Sequence, residues 1–196
     1  MAELGPLWNV LERRLAADPD DAAALMDLST IAHLQGRAGH RIALQAAALD
    51  QRQIYRQLPA VGGPNPMRLL AFVAPGDFLA NNPVEFLLEG SGVNLDMVYV
   101  LLGASLPEVP EHDIAMIAVA QTDENGAILS ELSRVTRAWP RPVINAADQI
   151  ARLTRTGAWQ LLKRAPGVVI PVPDQAVTKN KCRRQLQAKQ LQRKKP

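Results

Sequence analysis

The sequence predicts an α/β protein in which a mostly parallel sheet lies between helices in three layers, with a separate helical region in front of it. Three observations predict this. Short runs that are apolar on both faces recur at 68–73, 95–102, 114–120, 142–144 and 168–172, and such runs suit strands covered on both sides. Helical segments alternate with them, which implies right-handed crossovers between parallel strands. Residues 6–58, by contrast, show only helical periodicity, and the Pro- and Gly-dense stretch 59–66 separates them from the first apolar run.

The first helix is marked by Leu7, Leu11 and Leu15 with Trp8 and Val10 beside them, and it ends at Asp18-Pro19. Asp20 or Asp21 caps the second, whose face carries Leu25, Leu28, Ile31, Ala32 and Gln35 and which Gly36 terminates. A third, from about Gly39 to Leu58, shows Ile42, Ala46 and Leu49 on one stripe, then Ile54 and Leu58. The helix-Gly-helix unit of 21–56 resembles a tetratricopeptide (TPR) unit at Leu25, Leu28, Ser29, Ala32, Gly36 and Ala48, although Arg41 stands where a small residue is expected. One such unit cannot bury its own apolar face, and arrays need about three. A helical hairpin packed as an appendage is therefore expected over a peptide-binding superhelix.

Beyond the 59–66 linker, the α/β domain spans 67–173. Between its strands lie a short apolar segment from Pro83 to Glu89, an amphipathic helix with Ile128, Leu132, Val135 and Trp139, and another from Asp148 to Arg164 with Ile150, Leu153 and Leu161. The last stretch, 174–196, reads as a basic, disordered tail.

Charge supports that division. The chain has 22 basic and 19 acidic residues, but eight of the basic ones lie in 179–196 with no acidic neighbour, which leaves 14 against 19, or about −5, in the body. The tail lacks aromatics for stacking on bases, so nucleic-acid contact beyond non-specific tail binding is not expected. No apolar run approaches the length of a membrane span and no signal pattern opens the chain. The single Cys182 agrees with a reducing compartment. A cytoplasmic protein is the expectation.

Ligands of open parallel sheets bind beyond the C-terminal ends of the strands, so the informative residues come just after each run. After the first comes a loop holding Asp77, Asn81 and Asn82 before Pro83, after the third Gln121-Thr122-Asp123-Glu124-Asn125-Gly126, and after the fourth Asn145-Ala146-Ala147-Asp148. Asp77, Asn81, Asn82, Thr122 and Asn145 are the candidate substrate-binding residues for a polar small molecule, and the helix opening at Pro83 would aim backbone N–H groups at an anion. Each residue also has a plain structural use, since Asp and Asn close turns and Thr122, Asp123 or Asp148 can cap a helix. No phosphate loop, dinucleotide fingerprint, nucleophile elbow or HExxH is present, and His33, His40 and His112 lack metal-ligand spacing. No catalytic residue, cofactor or metal is expected.

Residues 67–172 resemble the Rossmann-like pre-ATP-grasp domain, and with the helices the N-terminal part of bacterial ATP-grasp-like proteins. The likeness is carried by Pro75-Gly76-Asp77-Phe78 with Asn82-Pro83-Val84-Glu85, Leu95-Asp96-Met97-Val98-Tyr99-Val100, His112-Asp113-Ile114-Ala115, Trp139-Pro140-Arg141-Pro142-Val143-Ile144-Asn145 and Pro166-Gly167-Val168-Val169. The resemblance implies a domain that helps bind an acceptor substrate, while ATP and Mg²⁺ are held by later domains. After Asp174 the sequence has no carboxylate with which to build a Mg²⁺ site. The expectation is a catalytically incomplete substrate-binding module, truncated before its ATP-binding half. The alternative is a TPR-like interaction protein that meets a partner in trans through an exposed groove around Leu25, Leu28 and Ile42.

Overall fold

The computed structural model describes residues 4–58 and 66–171, apart from the side chain of Arg155. Most of the expected linker 59–66, the expected tail 174–196 and Cys182 lie outside the described residues. The fold is mixed α/β with a five-stranded, mostly parallel sheet. Contacts divide the chain into a unit ending at Ala151 and a second from Arg152 onward.

In the first unit, helices α1 (Gly5–Ala17), α2 (Ala22–Leu34) and α3 (Ala38–Gln51) come first. Asp21 caps α2 by accepting a hydrogen bond from the Ala24 N–H at 3.0 Å. Gly36, at φ 71°, ends it. Arg37 N–H then reaches back to the Ala32 carbonyl and Gly36 N–H to that of His33, which satisfies carbonyls the helix leaves open. Leu11, Ala24, Leu28 and Ile31 form a core flanked by Leu4, Trp8, Leu15 and Leu44. The inward stripe of α1 is thus Leu4, Trp8, Leu11 and Leu15, and Leu7 is exposed.

The third helix is shorter than its periodicity suggests. It stops at Gln51, and Ile54–Gln57 forms strand β1 instead of a further turn. Ile54 and Tyr55 are half-buried because β1 lies antiparallel on β3 (Asn94–Tyr99), with Arg56 opposite Asp96. A pair of β-branched and aromatic residues followed by Arg and Gln fits an edge strand as well as a helix end, so the local pattern does not separate the two.

The central strand β2 (Arg68–Val73) is parallel to β3 on one side and to β4 (Ile114–Ile117) on the other, and β5 (Val143–Ile144) adds to β4. The order is β1-β3-β2-β4-β5. Alternation along β2 sends Leu70, Phe72 and Ala74 into a core with Ile128, Leu129 and Leu132 of α5 (Gly126–Val135) and Ala147 and Ile150 of α6 (Ala147–Ile150). Leu69, Ala71 and Val73 instead join Leu95, Ala118 and Val84 of α4 (Val84–Leu87) in a second core.

Two expectations for the C-terminal part are corrected. The helix expected over 148–164 is two pieces: α6 ends at Ile150, and α7 (Arg155–Leu162) belongs to the second unit, capped by Thr154, which accepts from Gly157 N–H at 3.0 Å. The run expected as a strand at 168–172 carries none over 168–171, where Val169 is 100% exposed. An apolar run becomes a strand only where a neighbour offers a free edge and a covered face.

Candidate functional site

The strand order fixes where a ligand site can form. From β2 the chain crosses to β3 on one side and later to β4 on the other, so the loops after β2 and β4 leave in opposite directions from neighbouring strands. The crevice between them, at the C-terminal ends of the strands, is the usual ligand position in such sheets.

Here the two loops close on each other. Asn81 and Val119 form an isolated antiparallel bridge, Asn82 N–H donates to the Ala118 carbonyl at 2.7 Å, and Ala120 N–H to the Ala80 carbonyl at 2.9 Å. Asn125, 3% exposed, donates both hydrogens of its amide nitrogen, one to the Ala80 carbonyl at 2.8 Å and one to that of Ala120 at 3.0 Å. Two carbonyl acceptors fix which end of this carboxamide is nitrogen.

The five sequence-predicted residues have different fates within this frame. Asn81 is a backbone mimic: its oxygen accepts from Ala74 N–H at 2.7 Å and its nitrogen donates to the Ala74 carbonyl at 2.8 Å. Asp77 accepts from Leu79 N–H at 2.8 Å and closes a turn. Thr122 accepts from Asn125 N–H at 3.2 Å, which shapes the entry to α5. Asn145, at φ 57°, is the one non-glycine residue in the left-handed region among those described, the conformation that Asn tolerates best. Asn82 has its backbone N–H engaged, while its exposed carboxamide makes no hydrogen bond among the described residues. The fold therefore brings Asp77, Asn81, Asn82 and Thr122 into one pair of clamped loops. Asn145 stands one strand further out, at the end of β5, with no hydrogen bond to the other four.

The anion site expected at Pro83 is not built. The helix there has only four residues, and the Val84 N–H is already given to the Asn82 carbonyl at 2.8 Å. So short a helix has almost no dipole to offer.

Sequence reasoning missed two residues that hold the frame. Asn125 was within reach, since it lies in the loop after β4, but capping chemistry draws attention to Thr122 and Asp123. Gln45 had no local signal. From α3 it accepts from Gly76 N–H at 2.9 Å and donates to the Gly76 carbonyl at 3.1 Å, which ties the helices to the loop after β2. His33 adds an edge-on contact to Phe78 in that loop, with ring centroids 4.3 Å apart. Gly76 itself has φ 154°, and a Cβ there would stand 2.6 Å from that of Ala80.

Other titratable groups serve the fold. His112, 5% exposed, has both ring nitrogens occupied: Nε2 accepts from Trp139 Nε1–H at 3.0 Å, and Nδ1 lies 2.8 Å from the Pro110 carbonyl. Because an indole only donates, the ring is neutral with its proton on Nδ1, and no lone pair is left for a metal. Burial pushes the Tyr99 phenol up to about 12, so it stays protonated at neutral pH. Among the described residues no three His, Cys, Asp or Glu side chains gather to hold a metal ion, and no helix is long and apolar enough to cross a membrane.

Two further surfaces bear on binding. A cleft of about 100 Å³ lined by Gln57, Leu58, Leu88, Glu89, Gly90, Val93 and Leu95 lies at the opposite, N-terminal end of β3; it is well below the several hundred Å³ of small-molecule sites. The groove expected around Leu25, Leu28 and Ile42 is not on the surface, because Leu25 and Leu28 are 8% and 2% exposed and only Ile42 is open. Comparison with family models, curated proteins and solved structures returns no match.

Proposed function

We propose that this chain is a binding module for a small polar ligand held at the C-terminal edge of its parallel sheet, and that it performs no ligation alone. In the terms of the resemblance, it is the substrate-side, three-layer pre-ATP-grasp part of an ATP-grasp ligase-like protein, carried beside TPR-like helices. One observation supports this reading most: the loops on either side of the switch point are clamped by Asn81 and Asn125, yet present the free carboxamide of Asn82. A frame held by its own hydrogen bonds, with an exposed and unspent carboxamide on it, supports the binding of a polar ligand there.

The test is thermal unfolding of the full chain against a panel of amino acids, hydroxy acids and short peptides. A ligand at about 100 times its Kd adds about 2.7 kcal/mol, which raises Tm by roughly 5–10 °C for a chain of this size. Asn82→Ala, whose side chain makes no hydrogen bond in the fold, should abolish the shift and leave the ligand-free Tm unchanged. No shift across the panel overturns the reading. Mg²⁺-dependent ATP turnover by the purified chain overturns its second half.

A further inference from the structure

Between Arg68 and Arg134 the sequence carries ten carboxylates and neither Lys nor Arg. Among the described residues, Arg56 pairs with Asp96, Arg68 with Glu111 and Asp113, and Arg134 with Glu131. Asp77, Glu85 and Glu89, which surround α4, form no ion pair among the described residues.

The same stretch turns apolar side chains outward. Val84 is 2% exposed, and it and Leu88, one turn later, join the core beneath and fasten α4 to the sheet. On the outer side Phe86 and Leu87 are 77% and 71% exposed, and Leu79 in the preceding loop is 77% exposed. Isolated exposed apolar residues need no explanation, but three large ones within nine positions on an anchored segment contribute little to folding and favour contact with a partner.

We propose that α4 and the loop before it form a docking surface for a basic amphipathic helix of a partner protein. Its apolar face would cover Leu79, Phe86 and Leu87, and its Lys or Arg side chains would meet Glu85 and Glu89. The charge favours a cationic occupant over nucleic acid, an anionic membrane or a second copy. Nucleic acid and anionic membranes are repelled by uncompensated carboxylates, and a second copy docked face to face would set the same carboxylates against one another. The surface shares the loop after β2 with the proposed ligand site, but its test rests on Phe86, Leu87, Glu85 and Glu89, which that site does not use.

The test is fluorescence anisotropy of a labelled 18-residue helical peptide, with Leu on one face and Lys on the other, titrated with the full chain. Saturable binding that weakens with salt is expected. Phe86→Ser with Leu87→Ser, and separately Glu85→Lys with Glu89→Lys, should each weaken it at least about tenfold. Tm of the Phe86→Ser, Leu87→Ser variant should stay at the wild-type value, since both side chains are exposed, and Glu89→Lys alone, at an exposed position, serves as the charge variant if the half-buried Glu85 affects folding. The proposal is overturned by an absence of saturable binding, by equal binding of a scrambled peptide without an apolar face, or by variants that bind as the wild type does. A wild-type dimer in sedimentation that the Phe86→Ser, Leu87→Ser variant disperses would also overturn it, because a second copy would then be the occupant.

Discussion

Replacing Asn125 by Ala tests whether the two loops at the sheet's C-terminal edge are held by one side chain. The Ala120 carbonyl accepts from Asn125 at 3.0 Å and has no other donor among the described residues. Leaving it unpaired at the half-buried end of the loop costs up to about 1–3 kcal/mol. The Ala80 carbonyl keeps a second donor, Ala120 N–H at 2.9 Å, so its loss is nearer the net value of one hydrogen bond, about 1 kcal/mol. Together these give about 3 kcal/mol, or a fall in Tm of about 6–12 °C for a chain of this size. Urea unfolding followed by circular dichroism reads it, with an unchanged m-value showing that the surface exposed on unfolding is the same. Asn125→Asp sharpens the test. A carboxylate cannot donate and would face two carbonyls, so at neutral pH it should destabilise more than Ala does. A loss below about 0.5 kcal/mol for Asn125→Ala, or Asp tolerated better than Ala, would refute the clamp.

The backbone and the caps supply two more tests. Gly76→Ala should cost about 1–3 kcal/mol, because the added Cβ meets Ala80 in a conformation that L side chains rarely adopt, whereas Gly39→Ala in α3 meets open space and should stabilise by up to about 1 kcal/mol; equal effects in denaturant unfolding would contradict both placements. Asp21→Ala should cost about 1 kcal/mol at neutral pH through the lost α2 cap. The Ala24 N–H, helped by Arg14, holds the Asp21 carboxyl below its usual 3.8, so its contribution is present above that value and fades as pH falls through the lower folded one. A penalty that instead grew on acidification would refute the assignment.

The parts of the fold written in single-sequence periodicity were legible, and those set by partners were not. Arg68–Val73 reads as a buried strand because five of its six residues are apolar, and the structure places it at the centre with neighbours on both sides. The end of α2 was equally readable, since a left-handed glycine is a local requirement. Ile54–Gln57 and 168–171 went the wrong way for opposite reasons: the first found a free edge on β3, and the second gained no strand neighbour. At the site, the loops were found by the rule that ligands sit after parallel strands, but not the division of labour within them. Whether a carboxamide faces a ligand or its own backbone depends on which carbonyls the opposing loop delivers. That is why Asn81 proved structural, Asn82 stayed free and Asn125 was passed over.

Strand β1 belongs to the helical region by sequence and to the sheet by pairing, and this has a consequence for how the chain assembles. α1 to α3 make contacts between near neighbours along the chain, whereas β1 pairs only with β3, which arrives some forty residues further along. When it arrives, Arg56 closes over the buried carboxylate of Asp96, at 2.7 Å through Nε and 3.1 Å through Nη2, and a slip of one residue would put Tyr55 or Gln57 in its place. The ion pair is thus a register pin. It also means that cutting the chain at the Pro- and Gly-rich stretch would remove β1, bare the edge of β3 and take Arg56 away from Asp96. A fragment that keeps the β3 edge paired begins ahead of Ile54.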